Sequence, residues 1–103
     1  MKVTTYEDEN FLTLDLFDDS DWTLFQIIAN ELVETFQIQW KIQLDGLDQR
    51  YWDFEYKEVA LTLHLEHYLG IGIYSDKSKN ELENARQVLS EIASHFTDWN
   101  PPV

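Results

Sequence analysis

Phe36-Gln37-Ile38-Gln39-Trp40-Lys41-Ile42-Gln43-Leu44 alternates apolar and polar side chains without a break. A period of two is that of a strand with one buried and one wet face, so the stretch predicts a strand with its aromatic and aliphatic residues inward. The alternation returns at Trp52, Phe54 and Tyr56, then at Val59, Leu61, Leu63 and Leu65, then at Leu69, Ile71 and Ile73. Four such runs in succession describe a sheet, and the rest of the chain reads as cover for one side of it.

Upstream, Val3 to Tyr6 is a short extended segment, Glu7 to Asn10 a polar turn, and Phe11 to Phe17 a firmer strand with Leu12, Leu14 and Leu16 on one face. Asp18, Asp19, Ser20 and Asp21 follow, and Asp19 or Ser20 is expected to cap a helix. That helix carries Trp22, Phe25, Ile28, Ala29, Leu32, Val33 and Phe36 at spacings of three and four. With no glycine or proline to mark its end, the switch to strand falls near Thr35 to Gln37. Asp45-Gly46 signals a loop, and Lys57-Glu58 a tight hairpin turn. Ser78 with Glu81 reads as a capping box for a second helix with Leu82, Ala85, Leu89, Ile92, Ala93 and Phe96 inward. Pro101 and Pro102 forbid its continuation. The expected fold is a single α+β domain over 1–103: two layers, a mostly antiparallel sheet of about five strands, and both helices on one face in the order β-α-β-β-β-β-α.

Hydrophobic residues are 44% and aromatics 15% of the 103, enough for one packed core. Seven basic against twenty acidic side chains give a formal charge of −13, which disfavours nucleic acid and anionic membrane and favours cations or a basic protein partner. Nine of the acids fall in residues 1–40 beside Lys2 alone, so acidity is densest in the first strand and helix. No apolar run approaches a membrane span, no signal-peptide core is seen, and cysteine is absent, so a cytoplasmic location is expected. Like charge of this size also predicts a monomer when free.

Reaction motifs are scarce. His64, Glu66 and His67 could converge on a metal only if the strand bends, because His64 and Glu66 share a face and His67 does not. Asp53 and Glu55 share a face like an acid–base pair, but such work needs a pocket that raises one pKa. The expectation is therefore no enzyme, no metal and no cofactor. The uncovered sheet face, with Gln37, Gln39, Gln43, Asp53, Glu55, Thr62, His64, Glu66 and Tyr74 projecting, is the candidate binding surface. Asp18, Asp19 and Asp21 form a second acidic edge. Trp40, Trp52 and Phe54 are assigned to the core, and Tyr51, Tyr68 and Tyr74 to the surface.

A small, acidic, cysteine-free α+β domain with the runs Tyr51-Trp52-Asp53-Phe54-Glu55 and Leu63-His64-Leu65-Glu66-His67-Tyr68-Leu69-Gly70 resembles bacterial immunity proteins, including those paired with contact-dependent inhibition toxins. The resemblance lies in size, charge and layer order. It implies a partner that is a basic toxin, a nuclease domain above all, neutralised by a charged surface. Asp53, Glu55, His64, Glu66, Tyr74, Asp18, Asp19 and Asp21 are the residues such a partner would meet. The alternatives are a small metal-dependent or acid–base enzyme using His64 and Glu66, and an oligomerising structural module.

Overall fold

The computed structural model describes residues 1–102; the last residue of the expected 1–103 domain lies outside the described residues. The chain runs β1 (Thr4–Glu7), β2 (Phe11–Phe17), α1 (Trp22–Phe36), β3 (Trp40–Asp45), β4 (Gln49–Tyr56), β5 (Val59–Glu66), β6 (Gly70–Asp76) and α2 (Leu82–Thr97). Among the described residues one antiparallel sheet of six strands, in the order β1-β2-β6-β5-β4-β3, lies beneath the two helices. The fold is the expected α+β arrangement with one strand more. The extra strand is β1, closed onto β2 by Asp8, whose carboxylate accepts from the amides of Asn10 and Phe11 at 2.8 Å each.

The core lies between sheet and helices. Leu14, Leu63, Leu65 and Ile73 of the inward sheet face meet Phe25, Ile28 and Leu32 of α1 and Leu89, Ile92 and Phe96 of α2. All are essentially solvent-free, and each removes apolar area from water at about 25 cal/mol per Å². The apolar stripe of α1 is narrower than its sequence implied, since Trp22 and Val33 stay exposed. Its cap is Asp21, one residue later than expected, whose Oδ1 accepts from Leu24 N at 3.0 Å. Ser20 instead donates to the Glu66 carbonyl at 2.8 Å, binding the entry of α1 to the end of β5.

Three local readings are corrected. The alternation from Phe36 to Leu44 is not one strand. Phe36 ends α1, Gln37 turns left-handed at φ 56° so that its amide closes on the Val33 carbonyl, and β3 begins only at Trp40. A bulge then shifts β3 against β4, with Trp40 opposite Phe54 but Ile42 opposite Asp53. One extra residue reverses the face of everything after it. Ile42 and Leu44 therefore point to the open side and Gln43, opposite Trp52, to the helix side. Finally, the capping box of α2 does not form. Ser78 is held by the Asp76 carboxylate, and Glu81 stands at the cap without a side-chain bond to it.

The turns fit their backbone demands unequally. Lys57 and Glu58 both have positive φ, at 49° and 68°, the two-residue hairpin turn that matches strand twist. Gly70, at φ 87°, approaches β2 so closely that a Cβ there would lie 2.0 Å from the Phe17 carbonyl oxygen. Gly70→Ala is thus expected to cost at least about 2 kcal/mol, through backbone conformation and collision together. Urea denaturation checks this; an unchanged midpoint would mean that β2 and β6 part easily at that end.

Candidate functional site

Strand pairing sets the open face in two lateral rows that each cross all six strands. One runs Tyr6, Thr13, Tyr74, Thr62, Asp53, Ile42; the next runs Thr4, Asp15, Gly72, His64, Tyr51, Leu44. No layer covers them, yet the middle of the face is not wet. Gly72 carries no side chain, so the His64 ring settles over it: a Cβ at Gly72 would stand 3.0 Å from His64 Nε2. The Tyr74 ring closes the other side at 5.3 Å between centroids. His64 is left 7% exposed. It was expected to project into solvent, and the paired glycine is why it does not.

His64 Nδ1 is buried without a hydrogen bond among the described residues, facing Glu66 Oε1 at 3.6 Å. The same carboxylate oxygen accepts from the Tyr51 hydroxyl at 3.2 Å. Burial lowers the imidazole pKa and the Glu66 charge restores it only in part, so the ring is neutral near pH 7. Burial raises the phenols of Tyr51 and Tyr74, with Glu66 adding to the effect at Tyr51. Asp15, beyond Gly72 in the same row, is raised by burial and by the charge of Asp18.

The sheet-face acids are thus engaged at home. Asp53 accepts from Thr62 Oγ1 at 2.6 Å, and Glu55 pairs with Lys41 at 3.0 Å. Asp53, Glu55 and Glu66 do share the open face on adjacent strands, as expected, but each has a partner in its own chain. Gln37 and Gln43 are not there, for the reasons of cap and bulge given above. His67 turns away from His64; its amide donates to the Asp48 carbonyl at 3.1 Å and its ring rests on Tyr68. Among the described residues no group of three or more histidine or carboxylate side chains is arranged to hold a metal ion.

A different region gathers the unengaged charge. At one end of the sheet three connections meet: the entry to α1, the β3–β4 turn and the β5–β6 turn. They enclose an open depression of about 730 Å³ lined by Asp18, Asp19, Asp21, Asp48, Trp22 and Tyr68, among others. Five of the seven basic side chains are tied up in ion pairs elsewhere in the chain or, for Arg50, beneath this end. None pairs with Asp18, Asp19 or Asp48 among the described residues. Around these acids stand Leu47 at 97% and Tyr68 at 89% exposure, with Leu69 beside them. Tyr68 holds φ 72°, a conformation that a residue with a Cβ adopts at a cost of about 1 kcal/mol. Asp48 and Leu47 were missed because the turn was read for its Asp-Gly signal alone; an aliphatic residue at a turn tip was the available clue.

Beneath this end Arg50 stacks its guanidinium 4.5 Å from the Trp22 ring centroid, 5.1 Å from Trp52 and 5.2 Å from Phe25. Asp45 holds the arrangement, accepting from Trp52 Nε1 at 2.7 Å and standing 3.2 Å from Arg50 Nε. Trp22, backed by the Arg50 guanidinium, thus gives the depression an aromatic floor.

With the geometry in place, the comparisons add a family and little else. A model described as protein of unknown function (DUF3630) matches residues 1–93, and the chain belongs to that family. Nothing matches it among curated proteins or among solved structures. No helix of the described residues is long and apolar enough to cross a membrane.

The buried histidine makes a pH prediction. In unfolded chains His64 takes up a proton near pH 6.5, whereas the folded site resists it, so stability present above that value is lost as pH falls below it. Replacing it by His64→Gln should flatten the fall in unfolding free energy between about pH 7.5 and 5.5 relative to the parent. Equal slopes for the two chains would show that His64 titrates freely in the fold.

Proposed function

We propose that this protein is a binding protein without catalytic chemistry, an inhibitor or immunity protein for a basic protein domain such as a toxin nuclease. What carries the reading is the hairpin end: Asp18, Asp19 and Asp48, without ion-pair partners among the described residues, beside exposed Leu47, Tyr68 and Leu69 over an aromatic floor. Folding has little use for it. A strained, solvent-facing tyrosine and a crowd of like charges are what a stable free protein would discard, and backbone strain of this kind gathers at functional positions. A cationic surface would relieve the repulsion, and apolar tips with an aromatic residue provide the desolvated centre that interfaces need. The sheet face is a weaker candidate, since Asp53, Glu55 and Glu66 would have to exchange home partners for foreign ones.

Capture from extract of the native host on the immobilised chain tests this, at low salt and at higher salt. A basic protein should be retained at low salt and released as salt rises. Reversal of Asp18, Asp19 and Asp48 to Lys should slow its association by about ten- to a hundredfold, acting on encounter more than on release. Recovery of no basic protein removes the reading. Retention that survives this triple reversal but fails on Asp53→Lys with Glu55→Lys moves the interface to the sheet.

Tyr68 separates function from stability. Tyr68→Asn should keep or raise stability, by up to about 1 kcal/mol, because Asn accepts the left-handed backbone more easily. The same change should weaken the captured complex at least tenfold if the tyrosine is an anchor. A variant that loses stability and keeps binding would assign Tyr68 to the fold instead.

The enzymatic alternative would rest on His64 facing Glu66. Metal analysis of protein purified without a histidine tag, before and after incubation with zinc, nickel or manganese, tests its metal-dependent form.

A further inference from the structure

We propose that β3 is a self-association edge, at which two copies of the chain pair strand to strand and continue one sheet into the other. β3 ends the strand order, so one side of its backbone has no neighbouring strand. Protein sheets usually blunt such an edge with proline, exposed lysine, an inward charge or a β-bulge. β3 has its bulge at Lys41, which is itself paired with Glu55 of its own strand pair; beyond it, from Ile42 to Leu44, none of these devices is present.

The bulge is the second observation. It takes Ile42 and Leu44 off the core face and sets them on the open face, 51% and 61% exposed. In the unbulged register both would face the helix side instead. The third observation is charge. In a chain of formal charge −13, β3 is the one strand of the six whose charges cancel, Lys41 against Asp45; each of the others carries a net −1. A basic partner has no reason to prefer it. A second acidic copy does, because it is the strand where two such molecules meet with least repulsion.

The pattern is also self-complementary. Antiparallel pairing centred on Gln43 sets Gln43 against Gln43 of the second copy and Ile42 against its Leu44, twice, on the same open face. Such a contact is isologous and closes as a dimer. Pairing β3 with the other edge, β1, would instead propagate without closing, and pairing β1 with β1 would bring two net charges together. The short paired segment makes a small interface, so a dissociation constant of about 10–100 µM is expected. Screening should tighten it as salt is added, opposite in sign to capture of a basic protein. Failure of one reading thus leaves the other standing.

Sedimentation of the full chain over about 1 µM to 1 mM, at low and high salt, supplies the first test. Reversible dimers that strengthen with salt and disappear in the Ile42→Lys, Leu44→Lys variant are expected; both side chains are exposed, so the variant folds. Because the chain has no cysteine, Gln43→Cys adds an independent readout. Facing strands bring two such residues within disulfide range, so oxidation should crosslink this variant at least about tenfold faster than Thr5→Cys on β1. A monomer throughout overturns the proposal. So does a dimer indifferent to the Ile42 and Leu44 substitutions, or equal crosslinking at the two edges.

Discussion

The antiparallel pairing of β2 with β6 joins two pieces that short hairpins alone would leave apart. β1 and β2 form one hairpin; β3 through β6 form a meander in which each strand pairs with its sequence neighbour. Only the β2–β6 ladder, with Leu14 opposite Ile73 and Phe17 opposite Ile71, makes them one sheet. It spans most of the chain, so its closure carries a large loop-entropy cost before any contact repays it. α2 needs the joined sheet, since it packs against β2 of one piece and β5 of the other. Gly70, where the Phe17 carbonyl presses against the missing side chain, marks how tightly the seam is drawn.

Features that depend on local pattern were legible in the residues. The two helices, the leucine-rich β5, the Lys57-Glu58 turn and the layer order follow from period and turn chemistry. What escaped depends on neighbours distant in sequence. The reversal of Ile42 and Leu44 comes from a bulge against β4, and the alternation on either side of Lys41 carries no mark of it. His64 looks like a surface residue in its own strand and becomes interior only because Gly72 lies beside it. Asn80 carries no pattern signal in the stretch before α2. Its side chain in fact takes the place of a strand, accepting from Ala60 N at 2.8 Å and donating to Ala60 O at 2.9 Å. The acids were countable from the start, but which of them lacked partners was a question of pairing.

That pairing divides the surface. Lys57 is bound to Glu91, and Lys77 and Arg86 converge on Glu7, so the cations are drawn to the helix side and the β4–β5 turn. Individually such exposed pairs add little to stability. Their larger effect is on the field: with those three bases tied up there, Asp18, Asp19 and Asp48 at the hairpin end have no ion-pair partner among the described residues. The net charge is thus not a uniform coat but an arrangement with a strongly acidic pole and a neutral edge.

The aromatic floor beneath that pole has an optical consequence. Trp22 and Trp52, two of the four tryptophans, lie against the Arg50 guanidinium, and Trp40 stands 5.3 Å from Trp52 between ring centroids. Indole emission responds to nearby charge and to water at the ring. Three of the four tryptophans of this chain therefore lie within one cluster, at the joint between the start of α1 and β4. A molecule settling over Asp18 and Trp22 would shield one ring and shift the field on the others. The protein carries its own unlabelled reporter at the surface where an encounter would take place.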